Sequence, residues 1–188
     1  GPGTGIAPMR ALLQERYYQS LHGPTLTEEA QTKLRTRSTS VDLNTRPKSR
    51  TSSTESIDKH EIGTNTLYFG CRNEDDYIYK SELADFKDKK ILNQLHVAFS
   101  RIDPNKKVYV QNLLQIEENS KALMDSLDQG GYIYVCGGTS MGNDIMDTVE
   151  NLLVKYKTSE GINTKEKAHE YVKKLQDEGR YVAELWSA

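Results

Sequence analysis

Residues 132–156, YIYVCGGTSMGNDIMDTVENLLVKY, place a short apolar run directly before a long helical pattern. The run Tyr132–Cys136 is rich in aromatic and β-branched residues, which predicts a buried strand. Two glycines follow, and apolar residues then recur at helical spacing over Asp144–Tyr156. A strand that passes through a glycine turn into a helix is the repeating unit of α/β proteins.

The same alternation extends in both directions from this stretch. Further strands are predicted at Thr66–Gly70, Leu95–Ser100 and Tyr181–Trp186. Helices are predicted at Ala7–Gln19, Lys80–Lys87, Val110–Ile116, Ser120–Gln129 and Thr164–Asp177, the last with Thr164 at its start and Gly179 beyond its end. Strands separated by helices predict an α/β fold with a doubly wound, mainly parallel five-stranded sheet and helices on both faces. The first strand of this unit is expected before Gly1, so that the chain begins in the middle of a unit.

Composition excludes several classes of protein. The 188 residues carry 25 Lys and Arg against 27 Asp and Glu, a net charge of −2, which does not favour nucleic-acid binding. No apolar run is long enough to span a membrane, and no signal peptide is evident. Cys71 and Cys136 are far apart, which predicts free thiols in a reducing, cytoplasmic compartment and no metal site. A membrane anchor upstream of Gly1 stays open.

A polar stretch interrupts the pattern at about residues 20–64. Ten of the nineteen residues from Thr36 to Thr54 are Ser or Thr, with many Arg and Lys among them. Such a composition buries too little apolar area to offset its ordering entropy, and it predicts a flexible insertion in one domain of residues 1–188. Ser38–Ser40 and Arg50–Ser53 are candidate kinase targets, and once phosphorylated they could dock a phosphopeptide-binding protein. A plain solvated loop is the alternative.

Ligands of parallel α/β sheets bind at the carboxyl ends of the strands, so the residues there are the candidates for a site. The opening GPGTGIAP stands directly before a helix, where glycines allow close approach and free N–H groups suit a pyrophosphate. This argument selects Gly3, Thr4 and Gly5.

Six blocks, in order along the chain, are similar to the NADPH-binding domain of diflavin reductases. They are GPGTGIAPMRALLQER, LYFGCRNEDDYIYKSEL, HVAFSR, KKVYVQ, YIYVCGG and ELWSA, and they cover nearly all of the chain outside the insertion. The family includes cytochrome P450 reductase, the sulfite reductase flavoprotein, nitric oxide synthase reductase regions and the reductase module of pyruvate:NADP oxidoreductase.

Ser100, Arg101, Lys107 and Tyr109 resemble the family's pocket for the 2′-phosphate of NADPH. The residue types fit this role independently, because a dianionic monoester needs cations and hydroxyls. Tyr109 also offers a ring face for the adenine. An ordinary solvated loop is the alternative for Arg101, Lys106 and Lys107.

Two further cofactor-binding residues are implied by the resemblance. Arg72 matches the arginine of the family's Cys-Arg pair, which lies near the cofactor phosphates, and pairing of Arg72 with Glu74, Asp75 or Asp76 is the alternative. Gln111 matches a position near the adenosine half of the cofactor.

The resemblance places the catalytic residues at the last two strands. Cys136 matches the cysteine beside the nicotinamide, and Trp186 matches the aromatic residue that stacks on the flavin and moves aside for the nicotinamide. Glu184 stands where relatives usually carry Asp, and Gly138 where many carry an acidic residue. Gly137 and Met141 complete the predicted cofactor-binding residues.

The resemblance implies that the chain positions NADPH for hydride transfer to FAD, from which electrons pass to FMN and a protein acceptor. The FAD- and FMN-binding parts are expected upstream in the same polypeptide, so the chain is expected to be a fragment of an NADPH-dependent diflavin oxidoreductase. The alternative is a non-catalytic nucleotide-binding or scaffold domain with a phosphoregulated insertion. The sequence leaves the electron acceptor open.

Overall fold

A computed structural model describes residues 5–23, 63–103 and 105–187 of the chain. Its strands are β1 (Thr66–Cys71), β2 (Gln94–Phe99), β3 (Ile133–Gly138) and β4 (Tyr181–Trp186). Its helices are α1 (Ile6–His22), α2 (Lys80–Asp88), α3 (Val110–Leu114), α4 (Glu117–Asp128), α5 (Thr139–Tyr156) and α6 (Lys165–Asp177). Short 3₁₀ turns lie at Glu74–Asp76 and Thr158–Glu160.

The described strands form two parallel pairs. In the first pair, β1 runs beside β2 with Thr66 opposite Gln94 and Cys71 opposite Phe99. In the second, β3 runs beside β4 with Ile133 opposite Tyr181. The parallel α/β class is therefore confirmed. The predicted five-stranded sheet is not confirmed, because the described residues form two separate two-stranded sheets.

Each element predicted from Ala7 onward is present, with shifted ends. The largest shift is at α5, which begins at Thr139, five residues before the predicted start. Gly138 acts as its N-cap with φ −65° and ψ 148°, and Gly142 lies against Leu185 of β4, where a Cβ would come within 2.4 Å of that side chain. The helix therefore starts at the glycine turn itself, and not where the apolar spacing begins.

The ends of α6 follow the predicted signals. The Thr164 hydroxyl accepts a hydrogen bond from the backbone N–H of Lys167 at 3.4 Å, as an N-cap does. Gly179 follows the helix at φ +68°, a conformation that glycine adopts without strain. The chain then turns directly into β4, with the N–H of Arg180 donating to the carbonyl of Leu175 at 2.7 Å.

The main core lies between the helices and one face of each strand pair. It contains Ala98 of β2, Val135 of β3 and Tyr181 of β4, together with buried apolar residues of α3, α4, α5 and α6. On β1, Leu67, Phe69 and Cys71 are buried in alternation with the half-buried Tyr68. On β4, by contrast, only Tyr181 is buried, and Val182–Leu185 are exposed.

The chain divides into two compact units. One comprises residues 1–13 with 64–188, and the other comprises residues 14–63. In the second unit, the rings of Tyr18 and His22 stack at 4.3 Å, and the Arg16 guanidinium donates to the Gly63 carbonyl. Helix α1 continues to His22, while the predicted insertion begins at about residue 20. Residues 24–62 of the insertion, with Ser38–Ser40 and Arg50–Ser53, lie outside the described residues. No described helix is long and apolar enough to cross a membrane.

Candidate functional site

The carboxyl ends of β1 and β2 bring three of the predicted site residues together. Because the two strands are parallel and in register, Arg72 follows β1 at the same edge where Ser100 and Arg101 follow β2. Backbone hydrogen bonds continue the pairing beyond the strands: the N–H of Ser100 donates to Cys71 at 3.0 Å, and that of Arg101 donates to Arg72 at 2.8 Å. The two arginines are therefore held on neighbouring backbones.

A cavity of about 270 Å³ opens at this edge. Five side chains line it, and all five belong to the predicted cofactor-binding set: Arg72, Ser100, Arg101, Lys107 and Tyr109. Three of them carry positive charge and two carry hydroxyl groups. The cavity has the donor set that a phosphate monoester requires.

The connection between β2 and α3 contributes Lys107 and Tyr109. Tyr109 is the N-cap of α3 and donates its backbone N–H to the Asn112 side chain at 2.9 Å. The start of the helix thereby fixes the backbone of Tyr109, while 44% of the residue stays exposed. Its ring is accessible from the cavity side, as a stacking role requires.

Arg72 forms an ion pair, and the structure identifies the partner among the three candidates. Its Nε donates to Oδ2 of Asp76, and its Nη2 donates to Oδ1 at 2.9 Å. The Arg72 guanidinium lowers the pKa of Asp76 by this hydrogen bonding and by its charge. Arg72 nevertheless lines the cavity, so the pairing and the predicted site are compatible.

Gln111 lies on α3, next to the cavity residues in sequence but outside the lining. Its Nε2 donates to Asp144 of α5 at 3.1 Å, which joins α3 to the helix that follows β3. Its Oε1 is buried and has no hydrogen-bond partner among the described residues. This orphaned acceptor is consistent with a polar contact from a ligand.

The predicted catalytic residues meet at the carboxyl ends of β3 and β4. Cys136 stands opposite Glu184, and Gly138 opposite Trp186, on one face of the pair. Burial raises the pKa of the Cys136 thiol, and the Glu184 carboxylate raises it further. Cys136 is half-buried, Glu184 is exposed and Trp186 is half-buried. The thiol is therefore neutral at physiological pH and partly accessible.

Two glycines shape the backbone around Cys136. A Cβ on Gly5 would lie 2.1 Å from the Cys136 carbonyl oxygen, so the start of α1 packs directly on the end of β3. A Cβ on Gly137 would lie 2.4 Å from Cε of Met141, so this methionine covers the glycine turn. Gly5, Gly137 and Met141 are thus grouped around Cys136. Gly3 and Thr4 lie outside the described residues.

Sequence reasoning missed a contact that anchors α1. Arg10 donates to the Glu82 carboxylate of α2 at 2.5 Å, and its guanidinium lies 4.8 Å from the centre of the Tyr79 ring. Tyr79 has φ +60°, a left-handed conformation that is uncommon outside glycine. Arg10 and Glu82 are 72 residues apart, and no local pattern signals a pair at that separation.

Comparison with known proteins agrees with this arrangement. The model of the oxidoreductase NAD-binding domain family matches residues 1–147. The chain belongs to this family. Its NAD-binding fold therefore agrees with the parallel strand pairs and with the clustering of candidate residues at the carboxyl ends of the strands.

Relatives of this NAD-binding domain include NADPH–cytochrome P450 reductases. Those of Candida maltosa and Homo sapiens are both 33% identical over 189 residues, which is 99% and 100% of this chain and 22% of each relative. A bifunctional cytochrome P450/NADPH–P450 reductase of Bacillus cereus is 34% identical over 189 residues, 100% of this chain and 14% of that protein. The chain thus spans less than a quarter of the length of these relatives.

Proposed function

We propose that this chain is the NADPH-binding domain of a diflavin oxidoreductase and that it positions NADPH for hydride transfer to FAD. The observation that carries the proposal is the cavity at the ends of β1 and β2, where Arg72, Arg101 and Lys107 meet the hydroxyl groups of Ser100 and Tyr109. The similarity to NADPH–cytochrome P450 reductases over the full chain supports it.

The cavity suits the 2′-phosphate of NADPH better than the free ribose hydroxyl of NADH. An NAD site of this fold usually presents a carboxylate to the ribose hydroxyls, whereas no carboxylate is among the lining side chains here. A phosphate monoester would meet two guanidinium groups, an ammonium group and two hydroxyls. Its charge would be balanced by cations that a neutral ribose would leave unused.

The other residues fit the rest of an extended dinucleotide. Gly5 directly precedes α1, and a pyrophosphate bound there would meet free N–H groups at the start of the helix. Gly3 and Thr4, the residues before it in sequence, stay predicted contacts of the same group. Gln111 has an unused buried acceptor for the adenosine half. Gly137, Met141 and Cys136 would hold the nicotinamide half at the end of β3.

Bound NADPH supplies the hydride, and the chain supplies orientation. Cys136 is a neutral thiol because burial and Glu184 raise its pKa, so it would pack against the nicotinamide and would not act as a nucleophile. Trp186, at the end of β4, would cover the flavin ring and move aside for the nicotinamide. The negative charge of Glu184 would help to keep the Cys136 thiol protonated. No general base is required for this transfer.

In the whole protein, FAD and FMN would bind to upstream parts of the same polypeptide, and electrons would leave through an electron-accepting protein. We also propose that the two strand pairs belong to one five-stranded sheet, whose additional strand would precede Gly1. The close contact of Gly5 with the end of β3 supports this arrangement, because it sets the start of α1 on a strand end. A cytoplasmic location stays a prediction.

The proposal is tested by substituting Arg101 with alanine and measuring the affinities for NADP⁺ and NAD⁺ by calorimetry. Arg101→Ala should weaken NADP⁺ binding by about 1.5–3 kcal/mol, the contribution of a charged hydrogen bond. NAD⁺ binding should stay nearly unchanged, because it has no phosphate at this position.

Lys106→Ala is the matched control. Lys106 is a cation in the same connection, but its side chain is not among those that line the cavity. Its loss should leave the preference for NADP⁺ intact. Equal losses of both nucleotides in Arg101→Ala, or an equal effect of Lys106→Ala, would contradict the pocket.

A further inference from the structure

The ion pair behind the cavity leaves part of the Arg72 guanidinium available. Both bonds to Asp76 use the edge formed by Nε and Nη2. Among the described contacts, the Nη1 group and the second N–H of Nη2 stay available for another anion. Side-chain exposure is 44% for Arg72 and 22% for Asp76, so the arginine faces outward and the carboxylate stands behind it.

Asp76 is itself fixed by the turn that carries it. It ends the 3₁₀ turn Glu74–Asp76, whose N-cap is Asn73. The Asn73 side chain accepts the backbone N–H of Asp76 at 3.2 Å, and the N–H of Tyr77 closes the turn on Glu74 at 3.1 Å. The backbone of Asp76 is therefore held by the turn, and its carboxylate is held by the bonds to Arg72.

The second arginine of the cavity acts on the same carboxylate through its charge. The positive charge of Arg101 contributes to the low pKa of Asp76, and the backbones of Arg72 and Arg101 are joined by a hydrogen bond of 2.8 Å. Two guanidinium groups on adjacent backbones repel each other in the absence of an anion. The Asp76 carboxylate, which is bound to Arg72, offsets part of that repulsion.

We propose that Asp76 is a positioning residue for phosphate recognition: it fixes the Arg72 guanidinium through its Nε and Nη2 edge before the ligand arrives and leaves the Nη1 group for the phosphate. This inference rests on the proposed function and adds to it a residue that does not line the cavity. A group fixed before binding loses less conformational entropy when the ligand binds.

The opposite effect is conceivable on charge alone, because Asp76 places a negative charge near an anion site. If Asp76 acted through its charge alone, it would weaken phosphate binding, and replacing it with a neutral residue would tighten binding. The two effects have opposite signs. A single neutral variant therefore separates orientation from charge.

The experiment compares adenosine 2′,5′-bisphosphate with adenosine 5′-monophosphate by calorimetry in the protein and in Asp76→Asn. We expect Asp76→Asn to lower the preference for the bisphosphate by about tenfold. Removing a residue that orients a metal ligand costs about 10- to 100-fold in affinity, and we take the lower value for an orienting residue at a phosphate site. Affinity for the monophosphate should stay unchanged, which also shows that the variant is folded. Asp76→Glu keeps the charge and should retain most of the preference.

Glu74→Gln is the matched control, because it removes the same charge from the same turn. Glu74 binds Lys80 at 2.7 Å and does not contact Arg72. The preference of the Glu74→Gln variant for the bisphosphate should differ from that of the unsubstituted protein by less than about twofold, since an exposed charge is screened by salt.

A preference that is unchanged or higher in Asp76→Asn would overturn the inference, as would an equal loss in Glu74→Gln. Failure of the unsubstituted protein to prefer the bisphosphate would instead overturn the proposed function. The two failures are thus distinguished in one titration series.

Discussion

Tyr181 is a core tyrosine whose hydroxyl group lacks a partner. The residue is 3% exposed, and its hydroxyl makes no hydrogen bond to a described residue. Burial raises the pKa of Tyr181 to about 12, and the charge of Glu150 contributes. A buried polar group without a partner costs stability, so the Tyr181 hydroxyl destabilises the core.

Tyr181→Phe should therefore raise the free energy of unfolding at neutral pH by about 1 kcal/mol. The sign of the pH dependence follows from the raised pKa: the native state keeps the phenol proton that the unfolded chain loses above about pH 10. Wild-type stability should then fall from about pH 10 to 12, and this fall should be smaller in Tyr181→Phe. Urea unfolding at several pH values measures both effects.

Tyr132→Phe is the control for this substitution, because Tyr132 is 61% exposed. Removal of the exposed Tyr132 hydroxyl should leave the free energy of unfolding and its pH dependence unchanged. A destabilised Tyr181→Phe would show that the hydroxyl is satisfied in solution.

At the scale of the elements, the start of α1 and the end of β3 are in closer contact than any side chain permits. A Cβ on Gly5 would lie 2.1 Å from the carbonyl oxygen and 2.9 Å from the carbonyl carbon of Cys136, both of them backbone atoms. Arg10 binds Glu82 one turn further along α1 and holds the helix against α2. The helix therefore has little freedom to retreat from the strand.

Gly5→Ser should cost about 1–3 kcal/mol of stability, as overpacking does, and should weaken dinucleotide binding because α1 must shift. Thermal unfolding and an NADP⁺ titration measure the two losses.

Gly138→Ser is the matched control two residues beyond Cys136. A Cβ there meets nothing within 4 Å, and serine is at least as good an N-cap as glycine for α5. Its stability should be unchanged or slightly higher. Equal behaviour of the two variants would contradict the close contact.

At the scale of the whole molecule, the net charge and the local charge have opposite signs. The chain carries −2 overall, yet Arg72, Arg101 and Lys107 line one cavity. An anionic nucleotide is attracted by the local field although the protein as a whole repels it weakly. The low net charge therefore does not favour a nucleic-acid surface, but it is compatible with a local phosphate site.

NADP⁺ should raise the melting temperature more than NAD⁺ at equal concentration, since a ligand that binds the native state stabilises it by mass action. The difference should shrink as the salt concentration rises from about 0.05 to 0.5 M, because screening weakens the contacts of the exposed phosphate. Thermal unfolding with each nucleotide at both salt concentrations measures this. A difference that does not depend on salt would contradict the charged pocket.

Most helices and strands could be predicted from local sequence patterns. The apolar runs at Thr66–Gly70 and Tyr181–Trp186 and the caps at Thr164 and Gly179 depend on neighbours in the chain, and the structure confirms them. The predicted start of α5 at Asp144 was wrong, because the apolar spacing begins there whereas the helix itself starts at the glycine turn five residues earlier. The five-stranded sheet was not confirmed, since strand pairing is not a local property.

The sequence by itself determined the parallel α/β class and which side chains to examine, because hydrophobic period, glycine turns and residue chemistry are readable along the chain. The tertiary structure decided which of these side chains meet. It placed Arg72 and Lys107 around one cavity, selected Asp76 among three neighbouring acids, and set Gly5 against Cys136. These outcomes depend on strand register and on distances between segments far apart in sequence, which no local pattern encodes.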